Sequence, residues 1–281
     1  MNPNHTILCP TDFSECSLNA IEYAAKLGEK YQSRLILIHV ANKEDYLKLS
    51  PMDTNGYYQM DFLKDKLKSL QKAIDKESLD KGLKSCEWEI LDGDIVNETL
   101  EFAQKENIDL IIVGTEGMND LRKNIIGSRA SRIVERSDRD VLVIPRKVFF
   151  KKPRKLVYAT DYIEEDKIAV QKVVDFAGFF KSEIDIVHAS PGNRAIDKSL
   201  HQVMIEEVKP FIKYPLVNFV LKSFRDDLAL GLENYLQTSK GDMLVTLSEK
   251  KDFFEKIFHK SLSKKMAYFI NKPLWVIKSL N

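Results

Sequence analysis

Apolar residues recur along the chain in two alternating modes. Short runs such as Leu35 to Val40 and Leu110 to Val113 are apolar almost throughout, the mark of strands buried on both faces. Between such runs the apolar positions return every three or four residues. Leu18, Ile21, Ala24, Leu27 and Tyr31 form one such series; Leu63, Leu67, Leu70 and Ile74 form another. That spacing places each series on one side of a helix. Strands alternating with amphipathic helices predict a parallel sheet covered on both faces.

The pattern occurs twice. Ile7-Leu-Cys-Pro-Thr-Asp12 returns as Leu156-Val-Tyr-Ala-Thr-Asp161, an offset of 149 residues that also carries His39 onto His188. The helical face between is kept, as Val170, Val173, Phe176 and Phe180. Further on, Ile108 to Val113 matches Gly241 to Thr246 and Val141 to Ile144 matches Leu274 to Ile277, now at an offset of 133. The second copy is therefore 16 residues shorter, lost between residues 43 and 88. Pro145 closes the first copy, and Arg146 to Arg154 reads as a basic linker. The expected α/β architecture is two tandem, open, parallel five-stranded sheets with helices on both faces. The domains are placed at 1–147 and 154–281.

Composition narrows the classes. The chain has 281 residues, 44% hydrophobic and 30% charged, enough apolar material for two cores. Lys and Arg number 43 against 42 Asp and Glu, a net charge of +1 that favours neither nucleic acid nor an anionic membrane. No apolar run approaches the ~20 residues of a spanning helix. No secretory signal is visible, and three sparse cysteines suit reduced thiols. The expected location is the cytoplasm, with no membrane and no specific nucleic-acid partner.

The chemistry-bearing motif is Gly114-Thr-Glu-Gly117, then nine residues, then Gly127-Ser128. Gly114 follows a parallel strand, at the end where open α/β sheets bind ligands. Glycines there permit φ > 0 and close approach to a ligand. A helix opening at Ser128 offers backbone N–H groups and a dipole to an anion. The spacing is neither a Walker A loop nor the dinucleotide fingerprint. Ser14 or Ser17 is expected to cap the first helix, with Asp12 as another capping group. His39 and His188 read as satisfied structural histidines, and Cys9 as a core thiol. No catalytic set and no metal site emerges.

With the repeat, the first-strand Asp and the glycine spacing together, the chain resembles the universal stress proteins in their tandem form. The resemblance covers about 6–147 and 154–279. It implies a Rossmann-like, adenine-nucleotide α-hydrolase-like fold and an ATP site in the first copy. Pro10, Thr11 and Asp12 would contact adenine and ribose, and the backbone of Val40 would read the adenine edge. Gly114, Thr115 and Gly117 would wrap ribose and phosphates; Gly127 and Ser128 would hold the phosphates. Arg129 is added on charge grounds. Asp12, Asp94 and Ser128 are the groups that would place Mg²⁺ beside the nucleotide. In the second copy Leu247, Lys250 and Lys260 stand where the glycines would be, so that copy is expected to be silent. Only Ser261 and Asp161 keep their chemistry there. The resemblance also implies pairing of the two domains through their last strands as a pseudo-dimer, and a homodimer of chains. The expected function is nucleotide-dependent regulation under stress. The alternatives are a nucleotide-independent interaction protein, a slow ATPase, or an enzyme of adenylate chemistry.

Overall fold

The computed structural model describes residues 5–41, 57–115, 128–160, 166–190, 195–223, 228–248 and 271–279. The chain divides after Phe150 into two compact units.

In the first unit the elements run β1 (Thr6–Pro10), α1 (Glu15–Tyr31), β2 (Arg34–Ala41), α2 (Tyr57–Ser78), β3 (Ser85–Asp92), α3 (Ile95–Lys105), β4 (Leu110–Thr115), α4 (Ser128–Arg136) and β5 (Asp140–Pro145). All strands pair in parallel, in the order β3-β2-β1-β4-β5. In the second unit they run β6 (Lys155–Thr160), α5 (Asp166–Phe180), β7 (Glu183–Ser190), α6 (Ala195–Val208), β8 (Val217–Ser223), α7 (Leu228–Thr238), β9 (Met243–Ser248) and β10 (Leu274–Lys278). The order β8-β7-β6-β9-β10, again parallel, repeats the first. The expected α/β class and parallel sheets are what the structure shows.

The apolar runs are buried as their composition requires. Leu8, Leu35, Leu37, Ile38, Ile111 and Ile112 are fully enclosed in the first sheet, as are Leu156, Val157, Ile186 and Val245 in the second. Each such side chain contributes about 1.5–3 kcal/mol by leaving water. On α1 the buried face holds Ile21, Ala24, Leu27 and Tyr31, but Leu18 is exposed. The expected face was drawn one residue too wide, because Cys16, Ala20 and Tyr23 take that side of the helix. Helix α1 packs beside α2, and α3 beside α4, so the two pairs cover opposite faces.

One close approach sets how α1 lies. A Cβ on Gly114 would stand 2.6 Å from the Cys16 carbonyl carbon, closer still to its oxygen, and 3.0 Å from the Ser17 nitrogen. Glycine is required there by the first turn of α1. The expectation of φ > 0 does not hold at this position, since Gly114 is extended strand outside the left-handed region. A positive φ occurs instead at Gly93, whose φ of 144° turns the chain from β3 into α3.

Helix α1 also grips the end of the unit. Glu15, Asn19 and Tyr23, spaced by four, share one face. Arg146 pairs with Glu15. Asn19 donates its amide to the carbonyls of Pro145, at 3.1 Å, and Val148, at 3.0 Å. The Tyr23 and Phe150 rings meet edge to face at 5.1 Å.

Replacing Gly114 by alanine is expected to push α1 off β4 and destabilise the first unit by about 1–3 kcal/mol, as overpacking does. Chemical denaturation of the variant measures this; unchanged stability would show that the helix start yields without cost.

Candidate functional site

The strand order reverses between β1 and β4, and open sheets of this kind take ligands at the carboxyl ends of the strands beside such a reversal. The structure places Pro10 at the end of β1, followed by Thr11 and Asp12. Gly114 and Thr115 end the neighbouring β4, and Ser128 and Arg129 open α4. Val40 lies near the end of β2. These residues share one end of one sheet. Gly117 and Gly127 lie outside the described residues.

The turn after β1 is held from within. Thr11 is buried; its hydroxyl lies 3.0 Å from Ser17 Oγ and accepts the Phe13 N–H at 3.0 Å. Its carbonyl accepts His39 Nδ1 at 2.8 Å. The same bond joins His188 to the Thr160 carbonyl at 3.0 Å, so the paired histidines serve the turn in both copies. Ser14 rather than Ser17 is the cap of α1, accepting the Ser17 N–H.

Asp12 accepts the Ser14 N–H through Oδ1 at 3.1 Å. Its Oδ2 faces Arg129 Nη1 at 3.6 Å. Burial pushes this carboxyl up, but the hydrogen bonds from Ser14 outweigh it and leave Asp12 below the usual carboxylate range. Nearby, Asp94 caps α3 by accepting the N–H groups of Val96 and Asn97, and Arg132 approaches it at 3.9 Å. The first turns of α4 therefore carry two arginines, each facing an acidic residue. Among the described residues no group of three His, Cys, Asp or Glu side chains could hold a metal ion.

Gly114 points its missing Cβ at α1, so Thr115, the next strand residue, points to the other face, where α4 lies. Thr115 Oγ1 and, on α4, Ser131 Oγ are buried and have no hydrogen-bond partner among the described residues. A buried hydroxyl without a partner costs about 1–3 kcal/mol, which a ligand atom supplying a bond would recover.

Sequence reasoning missed Phe13 and Lys66. Phe13 sits at φ 61°, a conformation bulky residues rarely adopt. Its ring lies against His39 at 4.8 Å between centroids, and Lys66 Nζ on α2 stands 5.0 Å from the centroid of the same Phe13 ring and 4.6 Å from that of Phe62. No local cue announces a left-handed phenylalanine; ring packing against β2 and α2 imposes it. The thiols are inert by the same logic. Cys9, Cys16 and Cys86 are buried, and burial pushes Cys86 up to about 12.

The second copy differs at this end. Leu247 is buried where Gly114 stands in the first. Asp166, buried, takes the place of Ser17 and accepts hydrogen bonds from Thr160 Oγ1 at 2.6 Å and from the Tyr158 hydroxyl. Asp161, Lys250, Lys260 and Ser261 lie outside the described residues.

An open parallel sheet whose strand order reverses between β1 and β4, with a helix start facing the first-strand Asp, defines a Rossmann-like α/β class. Comparison with known proteins gives the family. Residues 3–145 match the sequence model of the Universal stress protein family. A universal stress protein of Methanocaldococcus jannaschii is 31% identical over 149 residues, covering 53% of this chain and 83% of that one. A second from the same organism is 29% identical over 154 residues, covering 50% and 94%. The crystal structure of a universal stress protein from Archaeoglobus fulgidus superposes with a TM-score of 0.76 at 20% identity, covering 98% of both chains. The chain belongs to the universal stress protein family. No described helix is long and apolar enough to cross a membrane.

His39 makes the site's turn sensitive to acid. Burial lowers its pKa and the Lys66 charge adds to this; its bond to Thr11 and the Asp12 charge oppose them without prevailing. Because the folded value is below the unfolded one of about 6.5, the unfolded chain takes the proton first. His39 thus costs no stability above that pH and removes it as pH falls through the folded value. Denaturation midpoints at neutral and mildly acidic pH should fall more for wild type than for His39→Gln; equal losses would assign the acid sensitivity elsewhere.

Proposed function

We propose that the first unit binds ATP at the crevice between β1 and β4, and that occupancy regulates the protein under stress in the cytoplasm. The observation that carries this reading is the approach of Asp12 to Arg129 at 3.6 Å, which joins the first-strand acid to the helix that opens at Ser128. An acid that can take ribose hydroxyls thus stands beside a helix start that can take phosphates. Thr115 lies on the face where α4 packs, with a hydroxyl to be satisfied. The second copy, with Leu247 at the Gly114 position, serves assembly in this reading and takes no nucleotide. Mg²⁺ would arrive on the phosphates, because Asp12 and Asp94 each face an arginine.

One observation favours a nucleotide-independent interaction protein. The missing side chain of Gly114 is accounted for by Cys16, so that glycine alone does not report a ligand. Calorimetry separates the two readings. ATP should bind with one nucleotide per chain, and Gly127→Val should abolish binding while leaving the unfolding transition in place. The reason is that a side chain at the motif's third glycine occupies phosphate space. Absence of binding by the wild-type chain would favour the interaction protein, two nucleotides per chain would reinstate the second copy, and phosphate release on incubation would reveal hydrolysis.

A further inference from the structure

We infer that Arg129 is a specificity-determining residue that makes the site favour ligands carrying a hydrogen-bond donor and an anion together over ligands carrying only one of them. The inference rests on the ATP-site reading and adds what selects among adenosine ligands. Asp12 has two carboxylate oxygens, and each is engaged. Oδ1 accepts the Ser14 N–H at 3.1 Å and so belongs to the turn. Oδ2 is the oxygen left for a ligand, and it faces the Arg129 guanidinium at 3.6 Å. The two groups that a nucleotide would use are thus each other's partners.

A ligand must therefore exchange the pair rather than fill a gap. A ribose hydroxyl that donates to Oδ2 displaces Arg129. The displaced guanidinium regains a counter-charge only if the same ligand presents a phosphate at the start of α4. Adenosine supplies the donor without the anion, so its binding works against the Asp12–Arg129 attraction. Inorganic phosphate supplies the anion and leaves Asp12 without its cation. ATP supplies both, and the charge balance of the site is kept. The pair is well placed for such exchange. Asp12 is 53% and Arg129 64% exposed, so neither is locked by packing, and an exposed pair of this kind is readily broken. Asp94 and Arg132, at 3.9 Å, hold the neighbouring acid in a pair of its own, so Arg132 is not the group that would relieve Asp12.

The test is calorimetry of ATP and adenosine with wild type, Arg129→Gln and Arg129→Lys. Arg129→Gln should weaken ATP by about tenfold, through loss of a charge-assisted contact. The same change should tighten adenosine by about two- to fivefold, the worth of an exposed ion pair no longer competing. Arg129→Lys, which keeps the charge, should fall between for both ligands. Added salt should tighten adenosine on wild type by screening the pair and have no such effect on Arg129→Gln. A structural role for Arg129 would move both ligands the same way. Shifts in the same direction, or adenosine binding indifferent to the substitution and to salt, would overturn this inference and leave ATP binding standing. A wild-type chain that binds no ATP would overturn both.

Discussion

Helix α1 can cross β4 as it does only because residue 114 has no side chain. Much of the first unit's active end follows from that contact. The helix start brings Ser14 to cap it and to hold Asp12, and places Ser17 against Thr11. The strand below then ends at Thr115 with its hydroxyl turned to the opposite layer. Ligand crevice and helix packing are not separate designs here. The glycine that would let a nucleotide approach is the one the helix already needs, which is why its presence alone is weak evidence for a ligand and its geometry with Asp12 and Arg129 is stronger.

The two copies show what happens when this contact is given up. At the position of Gly114 the second unit buries Leu247, and no helix start could approach β9 as α1 approaches β4 with that side chain between them. The partner of the turn threonine changes in step. A serine hydroxyl contacting Thr11 becomes a buried carboxylate, Asp166, accepting from both Thr160 and Tyr158. A buried carboxylate needs such donors to offset its loss of hydration. The histidine bond to the turn carbonyl survives in both units. The strand order is thus the same in both units, while Leu247 and Asp166 are buried where the first has Gly114 and Ser17.

Sheet, helices and repeat were legible in the sequence because they rest on local periodicity. Buried parallel strands must be continuously apolar, and helices must return an apolar residue every three to four positions. What was not legible depended on partners far away in the chain. The reason for glycine at 114 lies in Cys16, and the pairing of Arg129 with Asp12 joins the start of α4 to the end of the first strand, far away in the chain. Leu18 fits the helical period, yet neighbouring small and aromatic residues win the sheet side and leave it in solvent. Phe13 broke the local rule outright, because packing against His39 and beneath Lys66 outweighs the preference of a phenylalanine for φ < 0.

The grip of α1 on residues 145–150 has a practical corollary for anyone dividing the chain. The last strand ends at Pro145, but the fold of the first unit does not. Stopping there would remove the Val148 carbonyl that Asn19 bonds and the Phe150 ring that covers Tyr23. The helix that loses those partners is the one whose start holds Asp12. A severed first unit therefore keeps these contacts only if the scissors fall beyond Phe150, and the five residues 146–150 that look like the start of a linker are the last stitch of the domain before it.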